Sequence, residues 1–289
     1  MKKVSFLCSF LFISFYLFSM DWPSPGALMI KNFGWNDGGI PHLGISFEAD
    51  EKLAAADNGE LLFHRRGTDT ASRLPSPLGS WVAIDHGDGI VSIYGRFDDK
   101  SPDNKYIPAL EGRMEKGAQL GEPGISGWSS AKGFFFQLFD RKERRWINPS
   151  LIIPSQNATP PSIMSVRLKD TQGKLLNPYQ IGNLSQGRYI VTVDAMTRNT
   201  RGNPLAPYRI ICTLNGSEAG VLNFETYSAR DGSLMVYRNG LVPVRQVYAP
   251  VPAYEVADVW FSRGQTTLEI ITQDIAGNVR NVVYRFLVE

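Results

Sequence analysis

The strongest pattern in the chain is alternation. Beyond residue 162, apolar and polar positions trade places in runs such as Tyr189-Ile-Val-Thr-Val-Asp194 and Thr267-Leu-Glu-Ile-Ile-Thr272. This is the period of strands with one face buried. It predicts strands at Ser165–Leu168, Gly187–Asp194, Tyr208–Leu214, Gly220–Thr226, Ser233–Arg238, Asp258–Phe261, Thr266–Gln273 and Asn281–Val288. Asn215-Gly216 and Ala276-Gly277-Asn278 read as turns between them. Strands at this spacing predict an immunoglobulin-like β-sandwich over residues 163–289.

From residue 21 to 154 the runs are shorter and glycine and proline punctuate them. Leu61–His64, Trp81–Asp85, Ile90–Tyr94, Phe134–Phe139 and Trp146–Ile147 are predicted strands. No window sustains a 3.6-residue apolar period; Glu51–Ala56 comes nearest and is too short. A twisted, sheet-rich or barrel-like domain is expected here. Residues 155–162, rich in proline and small polar side chains, read as a linker. The predicted fold class is therefore all-β in two domains, 21–154 and 163–289.

Residues 1–20 stand apart. Lys2 and Lys3 precede an apolar run from Val4 to Phe18, the layout of a secretory signal peptide, with cleavage expected near Ser19 or Met20. The run is shorter than the ~20 apolar residues a spanning helix needs. Cys8 lies too early for a lipoprotein cysteine. No later segment is apolar enough to span a membrane, so an exported protein of the periplasm or cell envelope is expected. The formal charge of +2 gives no reason to expect a nucleic-acid or anionic-membrane partner. Once the leader is set aside, one of the two cysteines remains, Cys212, in an apolar strand pattern that reads as packing.

Candidate chemistry is sparse. The three histidines, His42, His64 and His86, are widely spaced, and a catalytic zinc site uses about three protein ligands plus water. There is no nucleophile elbow, phosphate loop or acidic calcium loop. The order of motifs is more informative. Trp22-Pro23, Phe33-Gly34 and Pro41-His-Leu-Gly-Ile-Ser46 are followed by Ala54-Ala-Ala-Asp-Asn-Gly59 and by the hairpin Trp81–Arg96. Then come Lys116-Gly-Ala-Gln-Leu-Gly121, Lys132-Gly-Phe-Phe-Phe-Gln-Leu138 and Asn148-Pro149. In this order the stretch 21–154 resembles the lysostaphin/LytM-type zinc endopeptidases, which cut peptide cross-links in bacterial peptidoglycan.

The resemblance implies a zinc site whose ligands are mostly missing. The family's H-x-G-x-D histidine is His42, but the aspartate position holds Ser46. Its H-x-H pair falls on Gly133 and Phe135, and the histidine of Y-x-H falls on Arg96. Sliding the last strand by one residue brings Phe134 and Phe136 to the pair and still supplies no ligand. A hydroxyl is a poor zinc ligand and a phenyl ring is none. Glu48 and Asp50 follow Ser46 on one strand face by two-residue alternation and are the available carboxylates.

The expected function is that of a non-catalytic, peptidase-like envelope protein without a cofactor, binding peptidoglycan or regulating a cell-wall hydrolase. Arg96, His86 and Tyr94 are candidate groove residues, with Arg96 suited to a carboxylate. Trp35, Trp81 and Trp128 are candidates for packing or for sugar stacking. Two alternatives stand beside this reading: an active zinc endopeptidase with a rearranged site, and a structural periplasmic scaffold.

Overall fold

A computed structural model describes residues 20–66, 75–101, 112–129, 131–154, 159–249 and 253–289. Residues 1–19 of the leader, Cys8 among them, lie outside the described residues, as do residues 155–158 of the linker. The chain is all-β. Its first part forms β1 (Leu28–Lys31), β2 (Ile45–Glu48), β3 (Leu53–Ala54), β4 (Gly59–Arg65) and β5 (Ser80–Asp85). It continues with β6 (Ile90–Phe97), β7 (Arg113–Met114), β8 (Gln119–Gly121), β9 (Phe134–Asp140) and β10 (Arg145–Ile147).

Strand β9 organises this part. It pairs antiparallel with β6 along one edge, and with β2 and then β10 along the other. Its alternation decides which face is core. Phe134, Phe136 and Leu138 are fully buried in a cluster with Ile45, Phe47, Val82, Ile84 and Tyr94. Phe135 and Gln137 turn to the opposite face. Trp22 closes the cluster edge-on, 5.4 Å from Phe47 and 6.1 Å from Phe136.

The second part contains β11 (Ser162–Lys169), β12 (Leu175–Leu176), β13 (Asn183–Leu184), β14 (Gly187–Arg198), β15 (Pro204–Leu205) and β16 (Arg209–Leu214). It ends with β17 (Ser217–Arg230), β18 (Ser233–Arg238), β19 (Leu241–Pro243), β20 (Tyr254–Phe261), β21 (Gly264–Gln273) and β22 (Val279–Val288). Strands β12, β11, β14, β15 and β20 form one sheet; β13, β22, β21, β16, β17, β18 and β19 belong to another. Val191 and Val193 of the first sheet share a buried cluster with Ile210, Cys212, Leu268 and Ile270 of the second. Burial raises the Cys212 thiol to about 12, in keeping with a packing role. Asn215 and Gly216 both take positive φ, 51° and 81°, as a two-residue hairpin turn requires.

The two clusters are joined by backbone pairing. β17 runs beyond β16 and pairs with β10, placing Trp146 opposite Tyr227 in a 15-stranded sheet that crosses both parts. Phe33, from the first part, lies fully buried in the second cluster, 5.1 Å from Tyr227. Asparagine side chains complete the join, because an amide both donates and accepts. Asn32 Nδ2 donates to Ala206 O (2.9 Å) while its Oδ1 accepts from Ala206 N (2.7 Å). Asn148 Nδ2 donates to Phe224 O, and Asn199 Nδ2 to Met29 O, at 2.9 and 2.8 Å.

Candidate functional site

His42 is set by a tight hairpin in the loop before β2. Its carbonyl accepts from Gly34 N and its N–H donates to Trp35 O, both at 2.9 Å. The hairpin tip is fixed from the second part of the chain. Asn36, 4% exposed, donates through Nδ2 to Ala249 O (2.9 Å) and Ala253 O (3.0 Å). The hairpin that carries His42 is therefore tied to the second part of the chain.

Ser46 lies opposite Phe135 in the β2–β9 register, and Gly95 lies opposite Phe135 across β6. Arg96 is the extra residue of a β-bulge: Trp81 pairs with Gly95 and Ser80 with Phe97, leaving Arg96 unmatched at φ 71°. Bulges re-aim side chains, and this one brings Arg96 to Ser46 and Phe135. Nη1 donates to Ser46 Oγ at 3.1 Å, and the guanidinium carbon sits 5.7 Å from the Phe135 ring centre. His42 Nε2 is 3.0 Å from the same Ser46 Oγ, with its ring edge-on to Phe135 at 5.4 Å. The structure thus gathers His42, Ser46, Arg96 and Phe135 at one place. A left-handed φ at a residue with a Cβ costs about 1–2 kcal/mol, a strain of the kind that collects at functional sites.

Gly133 belongs to the same edge but offers no room. A Cβ there would lie 1.9 Å from Phe47 O. Gly44 is similarly pressed, since a Cβ would meet Phe135 Cζ at 2.5 Å. The space a histidine pair would need is taken by the β2 backbone and the Phe135 ring. The alternative register fails as well, because Phe134 and Phe136 point into the core, both fully buried.

Zinc does not fit these residues. His42 Nε2 is engaged with a serine that also accepts from a guanidinium, so the nearest charge is positive. Glu48 is turned away to Arg201 Nη1 at 2.6 Å and Asp50 to Lys132 Nζ at 2.9 Å, contrary to the possibility that they complete a site with His42. Among the described residues no group of three or more His, Cys, Asp or Glu is placed to hold a metal ion. His64 lies apart on β4.

His86 and Tyr94 serve another purpose. The carbonyl of Asn58 can only accept, so His86 Nδ1 donates to it at 2.7 Å; Nε2 is 2.6 Å from Ser92 Oγ. Ser92 Oγ bonds Tyr94 Oη at 2.9 Å, and Ala56 N donates to Tyr94 Oη at 2.9 Å. This chain ties the β5–β6 hairpin to the 54–59 turn. Tyr94 is fully buried and presents no surface, which corrects its reading as a groove residue. Trp81 packs on Phe63 at 4.7 Å, whereas Trp128 is 74% exposed.

Burial, with the charges of Lys31 and Arg96, pushes His42 down to about 3. This is below the free imidazole value of 6.5, so acid protonates the unfolded chain first. The resulting stability is present above pH 6.5 and is lost as the pH falls toward 3. In His42→Gln, the urea midpoint is expected to fall less between pH 7 and 4 than in the parent. Equal falls would mean that His42 is not held neutral.

A protein-family model matches residues 160–289, less than half of the chain. No curated protein matches it. Among solved structures, the chain is similar to the catalytic domain of the prophage-encoded M23 protein EnpA from Enterococcus faecalis. Identity there is 21% over 40% of this chain and 83% of that one, with a TM-score of 0.32. It is also similar to the lysostaphin catalytic domain from Staphylococcus simulans, at 16% identity over 38% and 77% of the two chains, TM-score 0.29. The SpoIIQ–SpoIIIAH pore-forming complex matches at 16% identity over 47% and 90%, TM-score 0.36. At these identities and TM-scores none of them decides what this chain does.

Proposed function

We propose that this chain is an exported, non-catalytic, peptidase-like protein of the bacterial envelope that binds the peptide part of peptidoglycan without zinc. Export rests on the Lys2–Phe18 leader pattern, and the peptidoglycan target on the ordered motifs between Trp22 and Pro149. The observation that carries the non-catalytic reading is steric. Gly133, where the resemblance calls for a histidine, is closed against Phe47 O, and Phe135 and Arg96 fill the adjoining space. Without a bound metal no water is brought to a pKa near 7, so hydrolysis lacks its nucleophile.

Cosedimentation with isolated peptidoglycan tests this. The protein is expected to pellet equally with and without EDTA, and to release no soluble fragments. Failure to pellet would remove the wall-binding reading in favour of a scaffold. EDTA-sensitive fragment release would restore the peptidase.

A further inference from the structure

Strand β20 carries an indole that the fold does not use. Its residues alternate: Ala257, Val259 and Phe261 are buried in the second cluster, while Asp258 and Trp260 face outward. Trp260 is 59% exposed, and among the described residues it meets no other ring and donates no hydrogen bond. In the β14–β20 register Trp260 stands opposite Arg188, and Asp258 opposite Ile190. Lys169 of β11 faces Ile190 from the other side. Directly opposed side chains start about 4.5–5.5 Å apart, so these five residues form one continuous patch on the outer face of the sheet.

Beside the indole the patch deepens into a cleft of about 430 Å³, lined by Lys169, Asp170, Thr171, Arg188, Ile190 and Asp258. Small-molecule sites run from about 300 to 1,000 Å³. The walls are held in place. Asp170 Oδ1 accepts from Gln172 N and Lys174 N, both at 2.9 Å, which fixes the loop after β11. Arg188 grips Asp258 through Nε to Oδ1 at 2.7 Å and Nη2 to Oδ2 at 2.5 Å. Lys169 is paired with Glu255. Both cations of the cleft are thus neutralised within the protein, and Asp170 adds a negative charge that opposes an anion. What the cleft offers a ligand is hydrogen bonding, from the Thr171 hydroxyl, Asp170 Oδ2 and the remaining N–H groups of Arg188.

A flat indole beside fixed polar groups without surplus positive charge matches a ligand with a C–H face and a rim of hydroxyls. A pyranose ring has both. An apolar peptide or lipid tail would leave the polar groups unpaired, and a nucleic acid would bring phosphates with no free cation in the cleft to meet them. We infer that the second part of the chain carries a glycan site here. Trp260 stacks on one ring of a neutral pyranose chain, and the cleft takes the hydroxyls of its neighbour. The site is additional to the peptide-binding groove of the wall-binding reading. It rests on that reading only for its source, the N-acetylhexosamine chain of peptidoglycan.

NMR titration of the full chain with chitotriose, a neutral N-acetylhexosamine trimer, tests this. The Trp260 indole resonance is the one absent from Trp260→Phe, and chitotriose is expected to shift it saturably. The affinity should change less than about twofold between about 50 and 500 mM salt, because no net charge is recognised. Trp260→Ala removes an exposed side chain and should fold as the parent does. Followed through the Thr171 and Ile190 amides, it is expected to bind chitotriose roughly tenfold more weakly, the upper end for one stacking contact. Maltotriose, a neutral glucan of the same length, is expected to bind more weakly than chitotriose. Absence of a saturable shift, or binding unchanged in Trp260→Ala, overturns the site. A tenfold loss of affinity with salt overturns the neutral ligand, and maltotriose binding as tightly as chitotriose overturns the wall as its source. Peptidoglycan retention without chitotriose binding removes this site and leaves the wall-binding reading intact. Chitotriose binding without retention does the reverse.

Discussion

Gly133→Ala is expected to lower the melting temperature by about 10 °C, and Gly133→His to prevent folding. A methyl group at this position would sit 1.9 Å from Phe47 O, 3.0 Å from Phe47 C and 3.3 Å from Glu48 Cα. All three are backbone atoms, so no side chain can swing aside. Phe47 is paired with Phe134, and Gly133 is itself bridged to Gly124 through hydrogen bonds of 3.0 and 3.1 Å. The strands have to separate. Overpacking typically costs about 1–3 kcal/mol, and a rigid backbone contact belongs at or above the upper end. In a protein of this size each kcal/mol moves the melting point by about 2–4 °C. An unchanged melting temperature in Gly133→Ala would show that β2 and β9 yield easily. The steric case against a histidine at 133 would then fall.

Phe224→Ala is expected to cost about 3–5 kcal/mol, the usual penalty for emptying a fully buried aromatic site. Its ring lies 5.0 Å from Tyr254 and 6.3 Å from Tyr248. It is also the surface on which Gly34 rests, since a Cβ on Gly34 would reach Phe224 Cγ at 2.7 Å. The Gly34 carbonyl accepts from Tyr248 Oη and Tyr254 Oη at 2.8 and 3.2 Å, and Tyr227 bonds Tyr248 in turn. Deleting the phenyl group therefore loosens the hairpin that positions His42. Hydrogen exchange at Gly34 N and His42 N, measured beside the urea midpoint, should quicken with the loss of stability. A cost below about 1 kcal/mol, with exchange unchanged, would show that the His42 hairpin is set independently of the second part of the chain.

The sequence made the strands easy to find and their company hard to find. β14 and β21 follow from alternation, because a half-buried strand must show its period, whereas β5, β6 and β9 follow from short β-branched and aromatic runs between turn residues. β3, β7, β8 and β12 are defined by their partners and leave no local signature. The pairing of β10 with β17 depends on contacts far apart in sequence. Asn32, Asn36, Asn148 and Asn199 look like ordinary turn residues, so their reach across the two parts is invisible in the pattern.

At the site, the motif order located His42, Ser46, Arg96, Gly133 and Phe135, and the structure brings four of them together around Ser46 Oγ. A shared strand face does not bring Glu48 and Asp50 to His42, because ion pairs with Arg201 and Lys132 take those carboxylates. Tyr94 was misplaced for a related reason. Its partners Ser92 and Ala56 hold the hydroxyl inside the core, where a phenol is tolerated once its hydrogen bonds are made.

The measurement that bears most directly on the zinc-free site is metal content. Zinc per chain would be determined by mass spectrometry on protein purified without a polyhistidine tag, before and after incubation with excess zinc followed by desalting. A site built from His42, Ser46, Arg96 and Phe135 should retain well under one zinc per chain in both samples. Roughly one tightly held zinc per chain, lost in His42→Ala, would contradict the reading and return the protein to the metallopeptidases.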